Sequence, residues 1–286
     1  MLQEIRDLGF DYAELSHGTR ISLLPGILDA VESGLIRIST LHNFCPLPMG
    51  VTVAAPNVFQ FSSDNPRERE NAFRYTVKTF EFAGRVKAPL VVLHMGSINI
   101  KDYTDRLLDL IEAGQKDTPR FQKLCNEAIE KREEKKEEAL AHSHAMLRRL
   151  LPEAESRGLK LGIECREALE EIPLESDLLL FFHEFPEPSV CYWHDTGHAQ
   201  IKENLGFIQH VMHLESHADR LAGFHIHDVE FPRRDHRPPG QGMIDFAALK
   251  PWVKPDHIKV FELSPSLSVE EVRAGVAHLK GIWGDA

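Results

Sequence analysis

The sequence predicts an α/β fold, a (β/α)8 barrel of the TIM type, on three observations. Short apolar, β-branched-rich runs alternate with helical patterns, which signals βαβ units and a parallel sheet. The 286 residues suit one such barrel, typically about 250 residues long. Polar residues able to do chemistry also end several of the runs at nearly regular separations.

Seven runs read as strands: Tyr12–Ser16, Ile36–His42, Pro89–His94, Lys160–Cys165, Val190–Asp195, Gly223–Asp228 and Lys259–Leu263. Most are continuously apolar rather than alternating, as parallel strands covered on both faces should be. A helix over Leu2–Gly9 precedes the first. Asn65–Pro66 supplies a cap and a first-turn residue for a helix with Phe73, Val77 and Phe80 at helical spacing. Leu107–Ala113 and Phe121–Gly158 are helical, the latter closed by Pro152 or by Gly158 just past its end. Phe207–His217 and Val269–Leu279 complete the helices. The charge run Glu127–Glu138 reads as a solvated helix face with pairs such as Glu127–Lys131, in preference to an interaction tail.

No linker interrupts the pattern, so one domain over 1–286 is expected, with an extended helical segment around 97–158. An eightfold barrel needs an eighth strand, yet the chain opens inside a helix that would normally follow strand one. The first strand is therefore expected to be absent, and the unpaired edges it leaves would invite a partner chain, giving a homo-oligomer.

The chain carries 33 Lys+Arg against 44 Asp+Glu, a net charge of −11, which argues against nucleic acid as a partner. No run approaches the ~18 apolar residues of a membrane helix, and no signal peptide pattern opens the chain, so a cytoplasmic protein is expected. Its four cysteines lack a CxxC spacing, which argues against a zinc ribbon or a disulfide framework. Histidine, with 16 copies, is the surplus to explain.

The strand ends explain part of it. Glu164 (LGIECRE), Asp195 (CYWHDTGH), His225 (GFHIHD) and Glu262 (VFELS) are separated by 31, 30 and 37 residues, about one barrel unit each. Such residues occupy equivalent places on neighbouring strands, at the C-terminal end where barrel enzymes build their sites. Two Glu, one Asp and one His make a four-ligand set for a divalent metal. The oxygen-rich mixture suits Mg or Mn, and the imidazole admits Co or Zn. Three crowded carboxylates would repel without a cation. His42 and His94 also end strands, His198 follows Asp195, and Asp235 and His236 lie in the loop after His225. His227 shares a strand face with His225 and is a candidate for metal, substrate or a hydrogen bond alone. Arg166, Arg233, Arg234 and Arg237 are candidate substrate or phosphate contacts, against a plain reading as surface charge. His194 alternates to the face opposite Asp195 and reads as core. His142, His144, His210, His213, His217, His257 and His278 are expected to face solvent.

In this order the motifs LHMG, GIECRE, HDTGH, GFHIHD, PPGQGMID and VFELS resemble the xylose isomerase-like TIM-barrel superfamily, which holds sugar phosphate isomerases and epimerases and the endonuclease IV-type nucleases (AP endonuclease family 2). The resemblance runs from Tyr12 to the end. In the epimerase branch it implies one divalent metal on Glu164, Asp195, His225 and Glu262, with the two Glu doubling as the acid/base pair and His198 binding substrate. In the nuclease branch, which carries up to three zinc ions, the extra ligands would fall on His42, His94, His198 and His236. A further nuclease carboxylate is replaced here by Arg234, with Asp235 beside it as a realigned substitute.

Two activities follow. The first is a metal-dependent isomerase or epimerase of a small sugar, sugar phosphate or hydroxy-carbonyl compound, working by proton transfer through a metal-stabilised cis-enediolate. The alternative is an endonuclease IV-type zinc phosphodiesterase acting on abasic DNA. The extra histidines favour it; the acidic balance and Arg234 weigh against it. Phe44, Met49, Phe59 and Phe61 either wall a substrate pocket or pack on the barrel rim.

Overall fold

The computed structural model describes residues 1–284, which divide into two compact units. The first comprises Met1–Gly96, Ala139–Glu164 and Leu180–Cys191, and the second Ser97–Glu138, Cys165–Leu179 and the described residues from Tyr192 to Gly284.

The first unit opens with α1 (Leu2–Asp7), β1 (Tyr12–Leu15), α2 (Leu24–Glu32), β2 (Arg37–His42), α3 (Pro66–Val86) and β3 (Leu90–Leu93). The second opens with α4 (Thr104–Glu112). The chain continues through α5 (Pro119–Glu155), β4 (Lys160–Glu164), α6 (Glu175–Glu184) and β5 (Val190–Asp195); α5, α6 and β5 contribute residues to both units. Then come α7 (Thr196–Leu205), α8 (His210–His217), β6 (Leu221–Ile226), β7 (Asp228–Glu230), β8 (Arg234–Arg237), α9 (Phe246–Leu249), β9 (Ile258–Phe261) and α10 (Val269–Trp283).

One sheet has seven strands in the order β1-β2-β3-β4-β5-β6-β9, with parallel register, for example Leu90↔Lys160 and Gly223↔Ile258. These are the seven runs the sequence marks, shifted by up to two residues at their ends. Continuous apolarity has the expected cause: β3 and β5 are buried along their whole length. The sequence pattern misses the antiparallel hairpin β7–β8, because DVEFPRRDHR has few apolar residues to mark it. It also misses α2, α6, α7 and α9.

The capping chemistry holds where it was legible. The Asn65 side chain accepts the Arg67 N–H (3.0 Å) and Pro66 starts α3. Ser268 and Glu271, which the sequence reading did not mark, form a reciprocal capping box on α10. Pro152 does not close α5, which carries it internally and ends at Glu155. The charge run is only partly a solvated face. Lys131 pairs with Glu134 (2.7 Å), whereas Glu127 turns to Lys101 (3.0 Å) and the Tyr103 hydroxyl (3.0 Å). Arg132 is buried, donating to the Leu169 (2.7 Å) and Glu171 (2.9 Å) carbonyls and to Asp177.

The expected outward histidines need the largest correction. His210, His213, His217 and His257 are buried. In the second unit the Tyr192 hydroxyl bridges His194 Nδ1 and His213 Nε2, each at 2.8 Å, and His194 Nε2 meets His210 Nε2 at 2.9 Å. His210, His213 and His217 lie on α8 and Tyr192 and His194 on β5, and helical periodicity alone gives no sign that this polar helix face is covered. His194 is fully buried, as its alternation requires. All four cysteines are free thiols, and no helix among the described residues is long and apolar enough to cross a membrane.

Candidate metal centre

The register of the sheet places the chemistry at strand ends. In the first unit His42 ends β2, His94 directly follows β3 and Glu164 ends β4. All three side chains are buried, and they meet: Glu164 Oε2 lies 2.6 Å from His94 Nε2 and 3.3 Å from His42 Nε2. His42 Nδ1 is 3.0 Å from the Asn43 carbonyl. A carbonyl only accepts, so Nδ1 carries a proton and Nε2 is the ring atom turned toward the carboxylate. His17, which sequence reasoning passed over, stands edge-on to His42 with centroids 5.1 Å apart. Its signal was available, because it falls just beyond β1 as His94 falls just beyond β3.

In the second unit Asp195 both ends β5 and caps α7, its Oδ1 accepting the His198 N–H at 2.8 Å. His225 on β6 faces it. His225 Nδ1 lies 3.1 Å from Glu262 Oε2 and 3.8 Å from Asp195 Oδ2. Asp195 and His225 are wholly buried, while the Glu262 side chain keeps 31% of its surface accessible. One imidazole nitrogen facing two carboxylate oxygens is a mixed O/N donor set of the kind divalent ions take, so these residues fit a bound metal.

Further groups frame that trio. Arg166 is buried, held by Glu171 Oε1 (3.0 Å), with its Nη1 3.2 Å from His198 Nδ1. His227 Nε2 reaches Asp195 Oδ1 (3.0 Å), and its ring stacks on His236 with centroids 4.4 Å apart. His236 Nδ1 pairs with Asp235 Oδ1 at 3.0 Å. Burial opposes charge on His236, but Asp235 and then Glu262 outweigh it and push this imidazole up to about 10. Asp235 is in turn held low: burial works against its ionisation, and the His236 bond overcomes it. Burial raises the nearby Glu167 carboxyl, against the charges of His198 and Arg166. Two predicted contacts fall elsewhere. Arg234 is exposed and pairs with Glu230 (3.1 Å), and Arg233 pairs with Asp109 and Glu112, both at 2.8 Å.

The PPGQGMID loop is tied to the site by Asp228. Its carboxylate accepts four backbone N–H groups, from Val229 (2.8 Å), Gly240 and Gly242 (2.9 Å each) and Ile244 (3.0 Å). A side chain at Gly242 would strike that carboxylate. Of the apolar rim set, Phe44 and Phe61 are buried, Phe59 stacks on Tyr75 at 5.5 Å, and Met49 is exposed.

A parallel sheet with strand-end His and carboxylates defines an α/β barrel protein with metal-type ligand clusters. The chain belongs to the xylose isomerase-like TIM barrel family, whose pattern it matches over residues 2–280. No curated protein matches it in sequence. Among solved structures it is similar to a D-tagatose 3-epimerase-like protein, at 17% identity and TM-score 0.70, covering 99% of this chain and 93% of that one. It is also similar to the 3-keto-D-glucoside 4-epimerase YcjR of E. coli, at 14% identity and TM-score 0.68, covering 98% and 92%. A D-psicose 3-epimerase shares 14% identity at TM-score 0.66, covering 99% and 92%.

Proposed function

We propose that the protein is a divalent-metal-dependent isomerase or epimerase of a small sugar, sugar phosphate or hydroxy-carbonyl compound. The observation that carries this reading is the Asp195–His225–Glu262 cluster at the ends of neighbouring strands. Glu164 occupies the corresponding end of β4, next to β5 in the sheet order, which supports it as the fourth ligand of one Mn, Mg, Co or Zn ion. Structural neighbours named as sugar epimerases point the same way.

When bound, the ion supplies Lewis acidity to the substrate's carbonyl and adjacent hydroxyl oxygens. The chain's own groups move the proton. Glu262, partly accessible, takes or returns the proton α to the carbonyl, and the buried Glu164 is its acid/base counterpart. His198 and Arg166 contact substrate hydroxyls, with Glu171 holding the guanidinium in place. The surface pairing of Arg234 with Glu230 leaves that residue outside this scheme.

The test is carbon-bound proton exchange. Purified protein should contain about one divalent ion per chain and exchange the α-proton of a small ketose with solvent deuterium. Glu262→Gln should keep the fold and lose the exchange. Unchanged exchange in that variant would overturn the acid/base assignment.

A second reading, a multinuclear zinc phosphodiesterase acting on abasic DNA, has one specific observation in its favour. His42 and His94 converge on Glu164 in the first unit, more nitrogen ligands than one isomerase ion needs. Two or three ions per chain, with salt-sensitive cleavage of abasic duplex, would select it.

A further inference from the structure

We infer that Arg233 is a positioning residue: it latches the β7–β8 hairpin onto α4 and so fixes Asp235 and His236 beside the candidate centre. Three arginines crowd this loop, and their contacts separate them. Arg234 and Arg237 stay within it, the first pairing with Glu230 (3.1 Å) and the second bonding Gln241 (3.2 Å). Arg233 reaches out to Glu112, 121 residues earlier in the chain. Its guanidinium forks onto that carboxylate, Nε donating to Oε1 at 3.1 Å and Nη2 to Oε2 at 2.8 Å. Nη2 also donates to Asp109 Oδ1 (2.8 Å), and Nη1 to Asp105 Oδ1 (3.4 Å). Asp105, Asp109 and Glu112 stand at i, i+4 and i+7, on one face of α4. Isolated surface ion pairs contribute little. A planar fork that holds one carboxylate by two bonds and reaches two more is the exception.

Both sides of the latch are anchored. The start of α4 is held by the Glu170 carboxylate, which accepts the Tyr103 and Thr104 N–H groups (2.6 and 3.2 Å). On the hairpin, Asn204 Nδ2 donates to the Pro232 carbonyl (2.8 Å) and the Asp235 N–H to the Arg233 carbonyl (3.0 Å). Three residues beyond Arg233, His236 stacks on the buried His227 ring, pairs with Asp235 and stands with Nε2 3.9 Å from Glu262 Oε1. At about 3.3 Å per residue, His236 lies only ~10 Å along the strand from the latch, so a shift of the hairpin tip carries to it. His236 and Glu262 both keep part of their surface accessible, so the hairpin flanks the open side of the cluster. That consequence rests on the acid/base reading of Glu262 above; the latch itself does not. The three α4 carboxylates are 45–69% accessible, which exposes the latch to screening by salt.

The test is amide hydrogen exchange and imidazole NMR on the full chain, at constant pH, in 0.05 and 0.5 M NaCl. It compares the wild type with Arg233→Gln, with Asp109→Asn/Glu112→Gln, and with all three substitutions together. At the lower salt, amides of residues 231–237 should exchange about tenfold faster in R233Q and in the α4 variant. The combination should be no faster still, since either side alone breaks the same main bonds. At the higher salt the wild type should approach R233Q, which itself should respond little. The His236 Hε1 resonance, assigned by its loss in His236→Gln, should move in R233Q as the stacking on His227 loosens. Urea midpoints should stay near the wild-type value, because local opening is not unfolding. Unchanged exchange with an unmoved His236 resonance in R233Q would overturn the latch. So would additive effects of the two sides, or faster exchange spread over the whole chain with a lowered midpoint. None of these readouts needs turnover. Failure of the isomerase reading would show separately, as absent ketose α-proton exchange in the wild type.

Discussion

Lowering the pH from about 7.5 to about 5 should destabilise this protein through histidines that lie outside the candidate centre. Burial holds His210 and His217 down to about 4 in each case, and the next contributions, from Glu203 on His210 and Glu175 on His217, offset it only partly. The unfolded chain titrates them near 6.5. A depressed folded pKa means that the unfolded state binds more protons between those values, so stability is lost as pH falls through the window from about 6.5 to about 4. At about pH 5 the difference amounts to about 2 kcal/mol for each buried ring, against a total stability of about 5–15 kcal/mol. His236 works with the opposite sign. Pushed up to about 10 by Asp235 and Glu262 against the cost of burial, it contributes fully below the unfolded pKa and loses its contribution as pH rises toward 10. The wild-type slope therefore mixes both signs, and a variant is needed to separate them. His217→Phe keeps a ring beside Tyr192 and His213, whose centroids lie 5.1 and 5.0 Å away, but cannot titrate. Urea midpoints at both pH values should show H217F losing about 2 kcal/mol less than the wild type on acidification, at similar m-values. Equal losses in the two proteins would refute the assignment.

Two structural predictions follow from buried polar and steric constraints. Arg132→Met removes the guanidinium from two carbonyls and from Asp177, leaving a buried carboxylate, and should cost about 3–5 kcal/mol in denaturant unfolding; a cost under about 1 kcal/mol would mean that the cluster is hydrated. Gly223→Ala places a methyl against the Trp193 ring and the Ile258 carbonyl in the middle of the β5–β6–β9 register. It should destabilise by about 1–3 kcal/mol, with a weakened near-ultraviolet tryptophan signal, and an unchanged thermal midpoint would count against the packing described.

The sheet and the strand-end ligands were legible because each has a direct signature. Continuous apolar runs mark buried parallel strands, and the separations between Glu164, Asp195, His225 and Glu262 follow from the length of a βα unit. What could not be read was polarity that tertiary contacts bury. His210, His213 and His217 look like a wet helix face, since nothing in their spacing reveals Tyr192 and His194 underneath. The β7–β8 hairpin escaped for a related reason: its pairing, Asp228 with Arg237 and Glu230 with Arg234, is between charged residues. The four backbone donors on Asp228 were equally invisible, although the glycines of PPGQG are where such close approach is expected.

Arg132 shows why a charge run should not be dismissed as solvated surface. Its guanidinium grips the carbonyls of Leu169 and Glu171, fixing the loop that follows β4. The same loop is tied to the start of α4, where the Glu170 carboxylate accepts the N–H groups of Tyr103 (2.6 Å) and Thr104 (3.2 Å) and the Thr104 hydroxyl (2.7 Å). With its carbonyl held from α5 and the neighbouring Glu170 side chain tied to α4, Glu171 can present its own carboxylate to Arg166, and Arg166 can reach His198. A cation in the middle of EAIEKREEKKEE thus sets the position of a guanidinium beside the candidate centre. The link has a measurable form. If it is real, Arg132→Met should loosen Arg166 as well as destabilise the chain, and the affinity for an oxygen-rich substrate analogue should fall in the fraction that remains folded.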